Sequence, residues 1–286
     1  MRTRFTELLG CSVPIQLASM GGVGTTLLAA EVARAGGLGM VRKSLEPPPD
    51  GSSGAVGINF TRPERAEPAA VAAAAARVRL VEFFYGDPRR DLVEIVHAQG
   101  ALASWVVGSV EEAVAAVAVG CDLVIAQGVE AGGHVRGVTP LRELVPAVLE
   151  AVRVPVVAAG GIASAEAVAD VLLGLGADGV RIGTRFLATP ECDAHPEYVK
   201  LVLAARGPQD TVMTSHFDET WPDAPHRVLR SALEAAERSG RRTTAAPSRA
   251  TPSPINDAAL YAGTGVGEVT EVKPAFDVVG DLISLL

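Results

Sequence analysis

Two segments in the middle of the chain repeat one pattern, and this repeat limits the fold more than any other feature. The first copy reads SVEEAV from Ser109 and GCDLVI from Gly120; the second reads SAEAVA from Ser164 and GADGVR from Gly176. Each has a serine at a helix N-cap, an Ala- and Val-rich helix, and a Gly-x-Asp turn into an apolar strand. Glu112 is also placed to complete a capping box in the first copy. Both copies are therefore strand-helix units, which form parallel strands joined by right-handed crossovers.

The same alternation of apolar strand and helix extends over most of the chain. Strands are predicted near residues 15, 39, 57, 82, 104, 124, 157 and 180. About eight strand-helix units close a barrel of roughly 250 residues. Eight predicted strands in 286 residues therefore favour a single α/β domain, a (β/α)8 TIM barrel, over a doubly wound sheet.

The pattern changes after a predicted helix at residues 195–205. Residues 208–230 are mixed and rich in helix breakers, residues 229–238 have a helical pattern, and residues 239–256 are rich in Ser, Thr, Arg and Pro, which is typical of a mobile loop. We therefore expect a barrel formed by residues 1–205 and 257–286, closed by a helix in the tail from Pro274 to Leu286. Residues 206–256 would be an inserted helical and loop segment, a smaller C-terminal excursion over the barrel mouth near the active site.

The composition narrows the class of partner. The net charge of -8 argues against nucleic acid, which basic surfaces bind, and so favours a small-molecule substrate. The three cysteines have no metal-ligand spacing and are predicted to be reduced, buried thiols. No signal peptide and no long apolar run are present, so we expect a soluble cytoplasmic protein without a membrane partner. A homodimer is compatible with the sequence, because barrels pair through surfaces that a single sequence does not mark.

Two alternative sites are weak. A dinucleotide-binding loop would need a third glycine after Gly22 and Gly24, and this glycine is missing. A metal site could be imagined from four residues late in the chain, but no recognised ligand spacing supports it, and we expect no metal. These four residues are His216, Asp218, Asp223 and His226.

Glycines follow two neighbouring late strands. The strand from Val154 runs into Gly160-Gly161, and the strand from Val180 runs into Gly183-Thr184. In a barrel of this kind the site lies at the carboxyl ends of the strands, and exposed backbone N–H groups there commonly bind phosphate. The two glycine motifs together predict a phosphorylated cofactor.

His134 is the candidate general base. It ends the loop that begins at Gln127 and contains Gly132-Gly133, directly after the predicted strand at residues 122–126. The glycines let the backbone approach a ligand closely, and the imidazole lies on the same predicted barrel face as the phosphate site. The other histidines lack such a context.

Several motifs taken in this order resemble the nitronate monooxygenase family, formerly called 2-nitropropane dioxygenases, which are FMN-dependent TIM-barrel flavoenzymes. The resemblance covers nearly the whole chain. The motifs are RTRFTE from Arg2, PI at Pro14 with Met20, AGGLG from Ala35, GIN from Gly57, AQGVEAGGH from Ala126, AAGGI from Ala158 and LGADGVRIGTRFLAT from Leu175.

The resemblance implies FMN as cofactor, O2 as co-substrate and His134 as the catalytic base. The positions before residue 60 would border the isoalloxazine ring, Gln127 and Gly132 would contact the flavin, and the later ones would hold the phosphate. The cofactor-binding residues implied in this way are Met20, Gly21, Gly22, Asn59, Gln127, Gly132, Gly160, Gly161, Ile182, Gly183 and Thr184. The implied reaction converts alkyl nitronates, or nitroalkanes, with O2 to carbonyl compounds and nitrite.

The chain departs from the family pattern at a few positions. Ser19 stands where proline is common, Val106 and Val107 are apolar where some members place a polar residue, and Arg136 adds a charge behind the histidine. These departures leave the implied fold and cofactor unchanged and bear on which substrate the protein uses. The framework is also similar to FMN-dependent enoyl-acyl carrier protein reductases and NADH:quinone reductases, which consume NAD(P)H. A non-catalytic flavin-binding protein is the alternative from another class.

Overall fold

The computed structural model describes residues 1–44, 46–47, 54–217, 219, 221, 223–243 and 245–286. Asp218 of the metal site considered from the sequence lies outside these residues, as do most of residues 47–54, whose Pro, Ser and Gly content predicts a loop. The described strands are β1 (Ile15–Leu17), β2 (Leu38–Arg42), β3 (Ala55–Thr61), β4 (Leu80–Phe84), β5 (Leu102–Val107), β6 (Leu123–Gln127), β7 (Gly133–His134), β8 (Val156–Ala159), β9 (Gly179–Ile182), β10 (Thr211–Thr214) and β11 (His226–Leu229).

The helices lie between and after these strands. They are α1 (Arg4–Leu9), α2 (Thr26–Arg34), α3 (Pro68–Ala75), α4 (Arg90–Ala98), α5 (Val110–Ala118), α6 (Leu141–Ala151), α7 (Ala165–Ala169), α8 (Thr184–Leu187), α9 (Pro196–Ala204), α10 (Arg230–Ser239) and α11 (Ala275–Leu282). A π-helical turn, Asp170–Gly174, extends α7, and short 3-10 turns lie at Pro63–Arg65, Pro208–Asp210 and Thr264–Glu268.

Eight parallel strands close into a barrel in the order β1-β2-β3-β4-β5-β6-β8-β9, and β9 pairs with β1. Each contains one of the eight predicted strand positions, so the (β/α)8 prediction is confirmed. The strands are almost entirely buried, because helices cover the outside and side chains fill the interior. The carboxyl ends of all eight strands consequently meet at one end of the barrel.

Serine and threonine caps start several of the helices, as the repeat predicts. The side chains of Thr25, Ser109 and Ser164 each accept a hydrogen bond from the backbone N–H three residues later. The capping box expected at Glu112 is wrong in one respect. The Glu112 carboxylate accepts from the N–H of Gly108, not from that of Ser109, and it also forms an ion pair with Arg136.

Part of the segment at residues 206–256 forms a sheet that the sequence did not predict. β10, β11 and β7 make a three-stranded antiparallel sheet in the order β10-β11-β7. Its third strand is only two residues long and comes from the loop after β6, so no local pattern marks it. His226 of β11 pairs in register with His134 of β7, which ties the excursion to the predicted catalytic loop.

None of the helices in the described part of the chain has the length and apolar run that crossing a membrane requires. The predicted helix in the excursion is present as α10, and the predicted closing helix is present as α11. The three cysteines are free, with Cys121 and Cys192 buried and Cys11 only partly buried.

Candidate functional site

A cavity of ≈ 460 Å³ opens at the carboxyl ends of the barrel strands. Its walls come from the loops after β1, β3, β6, β8 and β9 and from the excursion. Of the residues predicted for the site, all but Ile182 line it: Met20, Gly21, Gly22, Asn59, Gln127, Gly132, His134, Gly160, Gly161, Gly183 and Thr184. Ile182 is buried in β9 opposite Leu17, between Arg181 and Gly183, which both line the cavity.

One side of the cavity consists mainly of backbone. This glycine edge comprises Gly160, Gly161, Gly183 and Thr184. Gly160 and Gly161 have φ values of +124° and +72°, which side chains rarely adopt. A Cβ on Gly160 would lie 3.0 Å from the backbone nitrogen of Ala131, and one on Gly161 would lie 2.8 Å from Oγ1 of Thr264. Glycine is therefore required at both positions, and a ligand can approach the main chain closely.

Another part of the cavity wall carries the predicted base, His134, on a loop fixed by Gln127. The Gln127 side chain donates through Nε2 to the carbonyl oxygen of His134 at 3.1 Å and accepts from the N–H of Arg136 at 3.0 Å. The pairing of β7 with β11 holds the same loop from its other side. His134 is thus positioned by two independent sets of hydrogen bonds.

Aromatic rings surround the imidazole of His134. The ring centroid of Trp221 lies 4.2 Å away, and those of Tyr85 and Tyr261 lie at 6.3 and 5.7 Å. We call His134, Trp221, Tyr85 and Tyr261 the histidine wall. Nε2 of His134 is buried and has no hydrogen-bond partner among the described residues. This nitrogen is available for a ligand.

The surroundings of His134 keep it neutral. Burial is the largest cause, followed by repulsion from His226 and Arg62, and together they lower its pKa from 6.5 to about 3. His226 is fully buried and is satisfied by backbone, because Nε2 accepts from the N–H of Phe217 and Nδ1 lies 3.0 Å from the carbonyl oxygen of Ala224. Near neutral pH His134 is therefore an uncharged imidazole.

Arg136, which the sequence left without an interpretation, supports this loop. Its guanidinium lies 2.8 Å from Glu112 and 3.4 Å from Asp87 and packs over the ring of Tyr85. Arg136 thus connects the loop of His134 to α5 and to the histidine wall.

A polar cluster lies inside the barrel beneath the cavity. Glu82 of β4 is fully buried and accepts hydrogen bonds from Gln16, Asn59 and Arg181 at 2.6, 2.7 and 2.8 Å. A carboxylate within the apolar run Leu80–Phe84 was the sequence signal for this cluster, because a charge is rarely buried without a partner.

Two arginines make the cavity cationic. Arg42 and Arg181 both line it, and Nε of each is buried without a partner among the described residues. Among the described residues, Glu82 forms an ion pair with Arg181 and not with Arg42. The cavity therefore suits an anionic ligand, although the whole chain carries a net charge of -8.

No metal site accompanies this arrangement in the part of the chain that the structure describes. The His, Cys, Asp and Glu residues described there form no group of three or more that could hold a metal ion. His216 bonds to the carbonyl oxygen of Arg241.

One bacterial relative is similar in sequence over most of the chain. The (3aS,4S,5R,7aS)-5-hydroxy-7a-methyl-1-oxo-octahydro-1H-indene-4-carboxyl-CoA dehydrogenase of Rhodococcus jostii is 34% identical over 84% of this chain and 69% of that protein.

Solved structures show the same architecture. FabK from Thermotoga maritima matches with a TM-score of 0.83 and 28% identity, covering 99% of this chain and 96% of that one. A nitroalkane oxidase from Streptomyces ansochromogenes matches with a TM-score of 0.78 and 29% identity, covering 99% and 97%.

The family assignment follows from a sequence profile. The profile of nitronate monooxygenase matches residues 54–284, which contain six of the eight barrel strands and the whole excursion. The resemblance seen in the sequence motifs is thereby confirmed. The chain belongs to the nitronate monooxygenase family of oxidoreductases.

Proposed function

We propose that this protein binds FMN and oxidises alkyl nitronates with O2 to carbonyl compounds and nitrite, with His134 at the reacting end of the cavity. The observation that carries the proposal is the cationic cavity itself, which is lined both by the glycine edge and by His134, whose Nε2 has no partner among the described residues. Membership of the nitronate monooxygenase family supports the same reaction class.

The residues present fit FMN. The volume of ≈ 460 Å³ is within the range of cofactor sites. The glycine edge would bind the phosphate through backbone groups that side chains would block. Met20, Gly21, Gly22 and Asn59 would border the ring system, and Gln127 and Gly132 would contact it from the loop after β6. When bound, FMN would supply the electron transfer from substrate to O2.

Nitronates and neutral nitroalkanes make different demands on His134. A nitronate is already an anion, so the protein has only to bind and orient it, and the arginines favour its charge. A neutral nitroalkane must first lose its α-proton to a base, and the low pKa of His134 makes the imidazole a weak one. We therefore assign nitronates as the better substrates. His134 would accept the proton when a nitroalkane is used, because Nε2 has no competing partner among the described residues.

A second candidate is an NAD(P)H-dependent reductase. The histidine wall favours it, because Trp221 and Tyr85 offer aromatic faces on which a planar ring can stack. The 34% identity to a protein named as a carboxyl-CoA dehydrogenase supports a redox activity of this second kind. A non-catalytic flavin-binding protein is the candidate from outside enzymology, and nothing in the cavity favours it.

The purified protein tests the proposal. We expect a yellow protein that releases FMN on denaturation and consumes O2 with propionate-3-nitronate or 2-nitropropane, without NADH or NADPH. A colourless protein that takes up no FMN would contradict the cofactor assignment. Oxygen uptake that requires NAD(P)H would favour the reductase.

A further inference from the structure

The barrel interior beneath the cavity holds a carboxylate that the proposed reaction does not use. Glu82 is fully buried, and its three partners come from β1, β3 and β9. Barrel interiors are normally filled by layers of apolar side chains, and removing a carboxylate from water is costly unless it is paired. We therefore expect this charge to act through the polar atoms that its partners turn toward the cavity.

The carboxylate fixes which atom Asn59 turns toward the cavity. An ionised carboxylate can only accept hydrogen bonds, so both amides that contact Glu82 must direct their nitrogens to it. Asn59 donates Nδ2 to Oε1 at 2.7 Å, and Gln16 donates Nε2 to Oε2 at 2.6 Å. Asn59 lines the cavity, and its amide oxygen is the atom left for a ligand. Asn59 therefore acts there as a hydrogen-bond acceptor.

The carboxylate also orients Arg181. The terminal nitrogen Nη2 of Arg181 donates to Oε1 of Glu82 at 2.8 Å, which leaves Nε facing no partner among the described residues. Arg42, the last residue of β2, contributes a second Nε that has no partner among the described residues. The cavity floor thus offers one acceptor, from Asn59, and donors from two arginines.

We propose that Glu82 is a positioning residue that makes Asn59 an acceptor and Arg181 a donor, so that the floor recognises the imide edge of the flavin. That edge is a ring N–H between two carbonyl groups, which needs one acceptor and flanking donors. The inference rests on the proposed binding of FMN. Because Glu82 neutralises one of the two arginines, it also limits the positive charge beside the ring and so lowers the reduction potential of bound FMN.

A flavin without the imide proton tests the acceptor. Dissociation constants for FMN and N3-methyl-FMN are measured on wild type, Glu82→Gln, Glu82→Asp and the control Gln16→Met, which alters the cluster without lining the cavity. Wild type should lose roughly tenfold or more in affinity for the methylated flavin, since a buried acceptor then has no partner. In Glu82→Gln the carboxamide can donate, Asn59 can turn over, and this ratio should fall to about threefold or less. Glu82→Asp and Gln16→Met should keep the wild-type ratio.

The midpoint potential of bound FMN is the second readout. It should be more positive in Glu82→Gln than in wild type and stay near the wild-type value in Gln16→Met. If Glu82→Gln does not fold, Asn59→Ala takes its place for affinity and should lose the discrimination, and Glu82→Met, which removes the charge, takes its place for the potential and should make it more positive. Equal wild-type affinity for the two flavins, or an unchanged ratio and potential in Glu82→Gln, would overturn the inference while FMN binding itself stands. Wild type that binds neither flavin would instead refute the proposed function.

Discussion

The glycine edge and the histidine wall differ in composition, because the first is formed by backbone and the second by side chains. The glycine edge is backbone at the ends of two adjacent barrel strands, β8 and β9, and its shape is fixed by contacts that exclude any side chain at Gly160 and Gly161. The histidine wall consists of side chains from β7, from the loop after β4, from the excursion and, at Tyr261, from the segment that follows the excursion. A backbone surface can bind a cofactor whichever substrate is present. Side chains near the substrate determine which reaction takes place. Binding and turnover should therefore be separable by mutation.

The largest expected effect is at the glycine edge. Gly161→Val places a branched side chain at φ +72°, with Oγ1 of Thr264 2.8 Å from the new Cβ. Backbone strain and the blocked approach should together reduce FMN affinity by roughly a thousandfold, measured by flavin fluorescence titration. Gly240→Val is the matched control, because its φ is +76° and no heavy atom lies within 4 Å of the new Cβ. Equal affinity in the two variants would show that the phosphate binds elsewhere.

The next largest effect is expected at His134, the proposed base. His134→Asn should leave FMN affinity within a few-fold of wild type and reduce turnover of neutral nitroalkanes by roughly a hundredfold or more, since general bases contribute about that much. Turnover of nitronates should fall much less, because no proton has to be removed. Oxygen uptake with both substrates measures the difference. His97→Asn, which alters a histidine of α4 bound to Asp122, is the control. Undiminished nitroalkane turnover in His134→Asn would place the base elsewhere.

The lowered pKa of His134 also predicts how stability depends on pH. Its pKa is about 3 in the folded chain against 6.5 for a free histidine, so the unfolded chain binds the extra proton first as the pH falls. Stability from this group is complete above pH 6.5 and is lost down to about pH 3. The difference in unfolding free energy between wild type and His134→Asn should change by about 2 kcal/mol from pH 6.5 to pH 5, measured by urea titration. Parallel pH profiles for the two proteins would contradict the buried, neutral imidazole.

The smallest effect is expected at Trp221. Trp221→Leu removes the ring centred 4.2 Å from the His134 imidazole while leaving the glycine edge intact. We expect KM for a nitronate to rise about tenfold through loss of aromatic packing, with FMN affinity unchanged. Steady-state kinetics and flavin titration together check this. Loss of FMN from the variant would mean that the histidine wall also holds the cofactor.

The sequence predicted the barrel and the glycine edge because both depend on local patterns. Each strand is a short apolar run, the Ser109 and Ser164 units repeat, and the glycines directly follow β8 and β9. Closing eight such units then brings the loops to one end by topology alone. The sequence also singled out His134, because Gly132 and Gly133 directly precede it in the chain.

The rest of the cavity depends on contacts between distant residues. Trp221 and Tyr85 meet at 4.8 Å across a sequence separation that no periodicity spans. The small sheet pairs a two-residue strand with the excursion, which composition alone describes as breakers and loop. Glu82 was the overlooked signal, since a carboxylate in a buried strand implies partners even before they are known.

Anaerobic mixing of the FMN-loaded protein tests the central claim most directly. Propionate-3-nitronate should bleach the flavin absorbance without O2, and neither NADH nor NADPH should do so at a comparable rate. Admitting O2 should then restore the absorbance and release nitrite. Bleaching by NADH or NADPH, with none by the nitronate, would contradict nitronate oxidation and identify the protein as a reductase.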